Sequence, residues 1–172
     1  MISEKIQQAL NEQINAELYS AYLYLSMNAY FESENLQGFA NWMRIQAQEE
    51  LTHAMKIYDF LNDRGGTVTL KTINQPPTEW DSPFKVFKDT YEHEQKVTGL
   101  INNLVNLANQ EKDHATNSFL QWFVTEQVEE ENNARDIVSK IKLIEKSPQA
   151  MFMMDKDMAQ RIFTPPLTKG EQ

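Results

Sequence analysis

The strongest constraint on the fold is a spacing. From Ile6 through Leu10, Ile14, Glu17, Ala21, Tyr24 and Asn28, the residues of one face step by three and four. That is the repeat of an α-helix, because residues three or four apart share a side. The rhythm recurs from Phe39 through Met43, Gln46, Glu50, His53 and Ile57 to Phe60. It returns from Phe84 through Phe87, Tyr91, Glu94, Val97, Ile101 and Val105 to Ala108. A fourth run passes through Leu120, Phe123, Gln127, Glu130, Ala134, Ile137 and Ile141 to Ile144. Five glycines and six prolines occur in 172 residues, and most of them cluster, so the runs stay free of breakers. The spacing predicts an all-α chain with helices over 3–31, 35–64, 83–111 and 114–146. Ser3 and Ser82 are read as N-caps and Pro83 as the first helical residue. Gly65–Gly66 is read as the left-handed stop of the second helix.

Residues 65–82 break the pattern. They hold Thr67-Val68-Thr69 and the adjacent prolines Pro76 and Pro77. Such a connection is much longer than an ordinary helix–helix loop. Extended, it spans on the order of 50–60 Å, whereas a helix of about 28 residues is roughly 42 Å long. It can therefore run the length of a bundle and start the third helix at the end where the second began. Two antiparallel pairs joined by one long crossover make a four-helix bundle. A short fifth helix over 149–163 follows Ser147–Pro148 and ends at Pro165–Pro166, and 164–172 is expected to be a disordered tail. The chain, 1–172, is read as a single domain.

Composition narrows the partners. Sixteen basic against 25 acidic side chains give a formal charge of −9, which repels nucleic acid and anionic membranes and suits a protein that attracts cations. With no cysteine, any metal must sit on Asp, Glu or His. No apolar run approaches the roughly 20 residues of a spanning helix. Met1 to Leu10 is amphipathic and lacks the apolar core of a secretory signal, so a cytoplasmic location is expected.

The chemistry lies in polar residues placed where a core should be apolar. Glu17, Glu50, His53, Glu94, Gln127 and Glu130 all fall on inward faces, near mid-helix. Each buried carboxylate costs several kcal/mol unless paired or bound to metal. Four glutamates converging in one core would repel one another, and a pair of divalent cations removes the conflict. Glu50 follows Glu17 by 33 residues, and Gln127 follows Glu94 by the same 33. Each pair is followed three residues on by a further ligand type, His53 or Glu130. Residues at i and i+3 share a helix face, so each half can aim three groups at one point. The halves are unequal, Glu-x-x-His against Gln-x-x-Glu, so the first metal position is expected to be the tighter.

Three strings carry a family resemblance: Asn15-Ala16-Glu17-Leu18-Tyr19-Ser20-Ala21-Tyr22-Leu23-Tyr24, Glu49-Glu50-Leu51-Thr52-His53-Ala54, and Trp122-Phe123-Val124-Thr125-Glu126-Gln127-Val128-Glu129-Glu130-Glu131. They resemble the prokaryotic non-haem ferritins, and the likeness covers nearly the whole chain. The resemblance implies a ferritin-like bundle with a fifth helix and a ferroxidase that stores ferric mineral inside a homo-oligomeric shell, expected to be a 24-mer. It implies a first iron site from Glu17, Glu50 and His53, and a second from Glu50, Glu94 and Glu130 with Glu50 bridging. Gln127 is then a neighbouring hydrogen-bonding group. Glu49, Glu126 and Glu129 match the acidic residues of a third iron site, with Glu130 shared. These would draw iron onward to the store. The substrates are Fe(II) and O2 or hydrogen peroxide.

Departures from related groups sharpen the expectation. Haem-binding relatives carry a second Glu-x-x-His and a methionine after the bridging glutamate. Here stand Gln127 with Glu130, and Leu51, so no haem is expected. Without cysteine, a rubrerythrin-like iron module is excluded. Two alternatives remain, a stand-alone di-iron oxidase or peroxidase without a shell, and a metal-free structural bundle. Tyr24 matches a tyrosine beside the centre and is read either as an electron or hydrogen-bond donor or as core packing. Trp122 is expected in the core, His93 and His114 on the surface, and Met151–Met154 between subunits. Tyr30, Phe31 and Trp42 are expected to be exposed for subunit contacts.

Overall fold

The computed structural model describes residues 2–165. The expected tail from 166 onward lies outside the described residues. Five helices follow in order: α1 (Glu4–Ser33), α2 (Gln37–Asp63), α3 (Pro83–Gln110), α4 (His114–Ile144) and α5 (Pro148–Met158). No strand occurs among the described residues. Each of four helices starts on its own polar cap. Ser3, Ser82, Asp113 and Ser147 accept from the backbone N–H groups of Ile6, Lys85, Thr116 and Ala150 at 3.0–3.3 Å. Pro83 and Pro148 open α3 and α5, where a missing N–H costs nothing.

α1 pairs with α2, and α3 with α4, through turns of one design. Asn35 and Lys112 take left-handed φ values of 58° and 54°. After each, the chain returns a bond to the helix it left, Leu36 N–H to the Phe31 carbonyl and Asp113 N–H to the Ala108 carbonyl. Asn35 and Lys112 stand 77 residues apart, the offset that also separates Glu17 from Glu94, Glu50 from Gln127 and His53 from Glu130. The two halves therefore repeat as backbone as well as ligand pattern. The stop of α2 uses Gly65 alone in the left-handed region, at φ 71°.

The connection 64–82 gets its backbone partners from the polar side of α1. Gln7 accepts from Thr67 N–H at 2.8 Å, and Asn11 accepts from Thr69 N–H at 2.7 Å while donating to the Thr67 carbonyl at 3.0 Å. Asn15 donates to the Thr72 carbonyl at 3.2 Å and Ser26 to the Pro77 carbonyl at 2.5 Å. These bonds lay an extended chain without sheet neighbours along α1.

The apolar core comes in two blocks. One contains Tyr24, Met27, Phe31, Phe39, Trp42, Met43, Phe87 and Ile141, the other Ile6, Leu10, Ile14, Ile57, Leu61, Ile101, Leu120 and Phe123. Phe31 and Trp42 are buried, contrary to the exposure expected of them, and Tyr30 packs part-buried against the same block. Phe31 stacks on Phe39 with ring centres 5.3 Å apart, and Trp42 meets Phe87 edge-on at 5.2 Å.

α5 lies against α2 and α4 and covers that end. Met151, Met154 and Met158 pack on their own subunit's core, so the methionine run is only in part a surface feature; Phe152 and Met153 are exposed. The helix ends at Met158, short of the expected 163. Asn41 then takes the Arg161 carbonyl at 3.1 Å. Leu36, at the N-cap of α2, gives the helix no side-chain cap. Asp155 of α5 supplies one, accepting from Gly38 N–H at 2.8 Å and Phe39 N–H at 3.0 Å. Gly38 is needed for this approach, since a Cβ there would sit 1.6 Å from the Asp155 carbonyl oxygen.

Candidate metal centre

Between the two apolar blocks lies a polar layer. Glu17, Glu50, His53, Glu94, Gln127 and Glu130 are each 5 % exposed or less. Four helices deliver them: α1 gives Glu17, α2 gives Glu50 and His53, α3 gives Glu94, and α4 gives Gln127 and Glu130.

Glu17, Glu50 and His53 offer one ligand atom each within 4.8 Å of the others. His53 Nδ1 lies 3.4 Å from Glu50 Oε2. Gln13 donates to Glu17 Oε1 at 2.7 Å, while the other oxygen, Oε2, is buried with no hydrogen-bond partner. A buried carboxylate oxygen left without a donor is costly, and this one belongs to the triad that can take a cation.

The other half is held by hydrogen bonds and does not close into a triad. Tyr24 donates its hydroxyl to Glu94 Oε1, and Gln127 donates to Glu94 Oε2 at 3.1 Å. Gln46, on the turn before Glu50, donates to Glu50 Oε1 at 3.0 Å and to Glu130 Oε2 at 2.9 Å. Among the described residues no second group of three closes as tightly as Glu17, Glu50 and His53.

The electrostatics follow from burial. It lifts the Glu17 carboxyl to about 8, with the neighbouring Glu50 charge adding to the effect. Burial, then the charge of Glu94, pushes Glu50 and Glu130 well above the ordinary carboxyl range. Glu94 is raised by burial and pulled back by the bonds from Tyr24 and Gln127. Without a cation this layer retains protons at neutral pH, and an arriving cation displaces them.

The outer acidic residues sit differently. Glu49 is half-buried and ion-paired with Arg161. Burial raises its carboxyl against the opposing pull of Arg161 and His53. Glu126 is half-buried and Glu129 exposed. Glu49, Glu126 and Glu129 do not draw together into a ligand group.

Two aromatic expectations are corrected. Trp122 is 37 % exposed and not in the core. Its ring meets His53 edge-on at 5.3 Å and carries Lys56 Nζ 4.4 Å from its centre. His93 is not a surface residue. It packs half-buried against Tyr19 and Tyr24, with Nε2 2.7 Å from Ser20 Oγ. Burial, helped by Lys96, depresses its imidazolium to about 4, so the ring is neutral. His114 is exposed at the start of α4. Gln13, Gln46 and Arg161 were missed by sequence reasoning. Gln13 and Gln46 had a signal, each standing four residues before a buried glutamate.

An all-α bundle that buries glutamates and a histidine midway along facing helices belongs to the class that builds metal sites in its core. Residues 7–144 match the model of the ferritin-like domain, and the chain belongs to that family. It is 48 % identical over 161 residues to the bacterial non-heme ferritin of Bacteroides fragilis (strain 638R), covering 94 % of this chain and all of that one. It is 39 % identical to the bacterial non-heme ferritin of Staphylococcus aureus (strain USA300), covering 95 % and 98 %. Among solved structures, an open-pore ferritin from the hyperthermophilic archaeon Archaeoglobus fulgidus is 57 % identical. It superposes with a TM-score of 0.94 over 94 % of this chain and all of that one.

Proposed function

We propose that the chain is an iron-storage protein that oxidises Fe(II) at the buried centre and keeps the ferric product inside a shell of like subunits. The observation that carries this is the Glu17–Glu50–His53 triad, with its orphaned buried oxygen, in one core with the buried Glu94 and Glu130. Family membership and full-length likeness to non-heme ferritins support the storage role.

Iron is the substrate. Glu17, Glu50 and His53 hold the first Fe(II), and Glu50, Glu94 and Glu130 the second, with Glu50 bridging. Mostly anionic oxygen donors hold Fe(III) more tightly than Fe(II), which favours loss of an electron. Two Fe(II) give one electron each to O2, which leaves with two protons as hydrogen peroxide. The two protons come from solvent, because Glu17, Glu50 and Glu130 give up theirs when iron binds. Gln127 and Tyr24 steady Glu94. Glu49, Glu126 and Glu129, with Glu130 shared, would close on an outer, third iron as it binds, and iron passes from there to the store. The shell is a homo-oligomer, expected to have 24 subunits and to work in the cytoplasm. The −9 charge of each subunit draws in cations.

Aerobic loading followed by size-exclusion chromatography tests the storage role. Iron should co-elute with a particle of many subunits, at far more than three atoms per subunit. A monomer or dimer that retains no iron would contradict storage and favour a stand-alone di-iron enzyme.

A further inference from the structure

Arg161 follows α5 in the chain, yet its side chain reaches the edge of the metal centre. Its guanidinium lies 4.3 Å from the centre of the Trp42 ring. Nη1 donates to the Trp42 carbonyl at 3.2 Å, and Nη2 donates to Gln46 Oε1 at 2.9 Å and also pairs with Glu49. The backbone is pinned too, by Asn41 on the Arg161 carbonyl and by Asp155 on the start of α2. A flat, multiply bonded guanidinium stacked on an indole is a built contact.

Gln46 carries the constraint inward. Its carbonyl faces Arg161, so its amide nitrogen faces Glu50 and Glu130. Turned over, the amide would set oxygen against two carboxyls and N–H against the guanidinium. Arg161 therefore selects the sense of Gln46, and Gln46 links two inner ligands.

We propose that Arg161 is a tethered cation that occupies Glu49 in place of a third metal ion while orienting Gln46 toward Glu50 and Glu130. The inference rests on the outer position proposed above at Glu49, Glu126 and Glu129. A carboxylate cannot serve a guanidinium and a divalent ion at full strength together. The Arg161 and Glu49 side chains are 22 % and 25 % exposed, so their pair is partly screened and displaceable. Iron reaching Glu49 displaces Arg161, and the returning arginine helps expel it. The outer position is thus a transit point, weaker than the inner two.

Anaerobic Fe(II) titration of the assembled, full-length protein by calorimetry tests this without oxidation. Wild type should show two tight Fe(II) per subunit and a weaker third. Arg161→Gln should tighten the third by about two- to fivefold, the order expected on removing one screened competing charge. Arg161→Lys, which keeps the charge, should leave the third close to wild type. Glu49→Gln should abolish it. If Glu49→Gln abolishes the third event but neither Arg161 variant changes its affinity, the Arg161 inference fails and the outer position stands. If wild type shows no third event, and Arg161→Gln shows none, the outer position fails and takes the inference with it. If Arg161→Gln does not assemble, Arg161→Met, which keeps the stem over Trp42 and drops the charge, takes its place, with the same tightening expected and an unchanged third affinity overturning the inference. A lysine variant that assembles yet shifts the third affinity as much as loss of charge should would overturn the charge-competition account.

Discussion

Tyr24 of α1 donates its hydroxyl to Glu94 of α3, tying the two halves of the bundle together at the metal layer. Burial, then the Glu94 charge, pushes the phenol well above its ordinary range, so it remains a donor at neutral pH. Tyr24→Phe leaves the ring and removes the donor. A hydrogen bond to a charged group contributes about 1.5–3 kcal/mol. Binding of the second Fe(II) is expected to weaken about tenfold or more, with the first little changed, as read by anaerobic titration. Equal weakening of both would contradict a bond that serves Glu94 alone.

Replacing both Glu50 and His53 by alanine removes the bridging carboxylate and the imidazole. Fast oxidation of Fe(II) is expected to fall by more than about a hundredfold in stopped-flow measurements, since changes even in groups behind metal ligands cost up to about that much. An unchanged fast phase would mean that oxidation occurs elsewhere.

Raised carboxyls make the metal-free protein sensitive to alkali. In the folded chain Glu17 holds its proton up to about 8, whereas unfolded it loses it near 4.5. Between those values the folded state binds more protons than the unfolded one, so stability falls as pH rises. Glu50 and Glu130 shift in the same direction. The melting temperature of chelator-treated protein should therefore drop from pH 5 to pH 8. Glu17→Gln should flatten the slope, and bound divalent metal should reverse much of it. A metal-free melting temperature that climbs over this range would refute the burial of these groups as charged-state penalties.

Asp155 caps a helix that is not its own. Asp155→Ala should cost about 1 kcal/mol, the usual loss for an N-cap. Gly38→Ala should cost about 1–3 kcal/mol because the added methyl meets the Asp155 carbonyl. Chemical denaturation measures both, and a neutral Gly38→Ala would mean that α5 can shift without loss.

Much of this was legible in the sequence because local rules carry it. Period 3.6, the caps at Ser3 and Ser82, and Pro83 each act within a few residues. The polar layer was legible because Glu17, Glu50, Glu94 and Glu130 interrupt otherwise apolar faces. What was missed depends on contacts between distant segments. Arg161 reaches Glu49 across 112 residues, and Asp155 reaches Gly38 across 117. Phe31 and Trp42 read as exposed because the docking of α5 over their end of the bundle leaves no periodic trace. Trp122 and His93 exchanged their expected places for a related reason. A helix face turned toward a partner helix can still be open at its margin, and Ser20 supplies a buried partner for His93 that spacing does not reveal.

The two-iron reading of Glu17, Glu50, His53, Glu94 and Glu130 comes down to a stoichiometry. Metal-free protein is mixed with Fe(II) at increasing ratios in excess O2, and the amplitude of the fast oxidation phase is recorded. The amplitude should saturate at two Fe(II) per subunit. Saturation at one, or growth without a break, would contradict a centre in which Glu50 joins two irons.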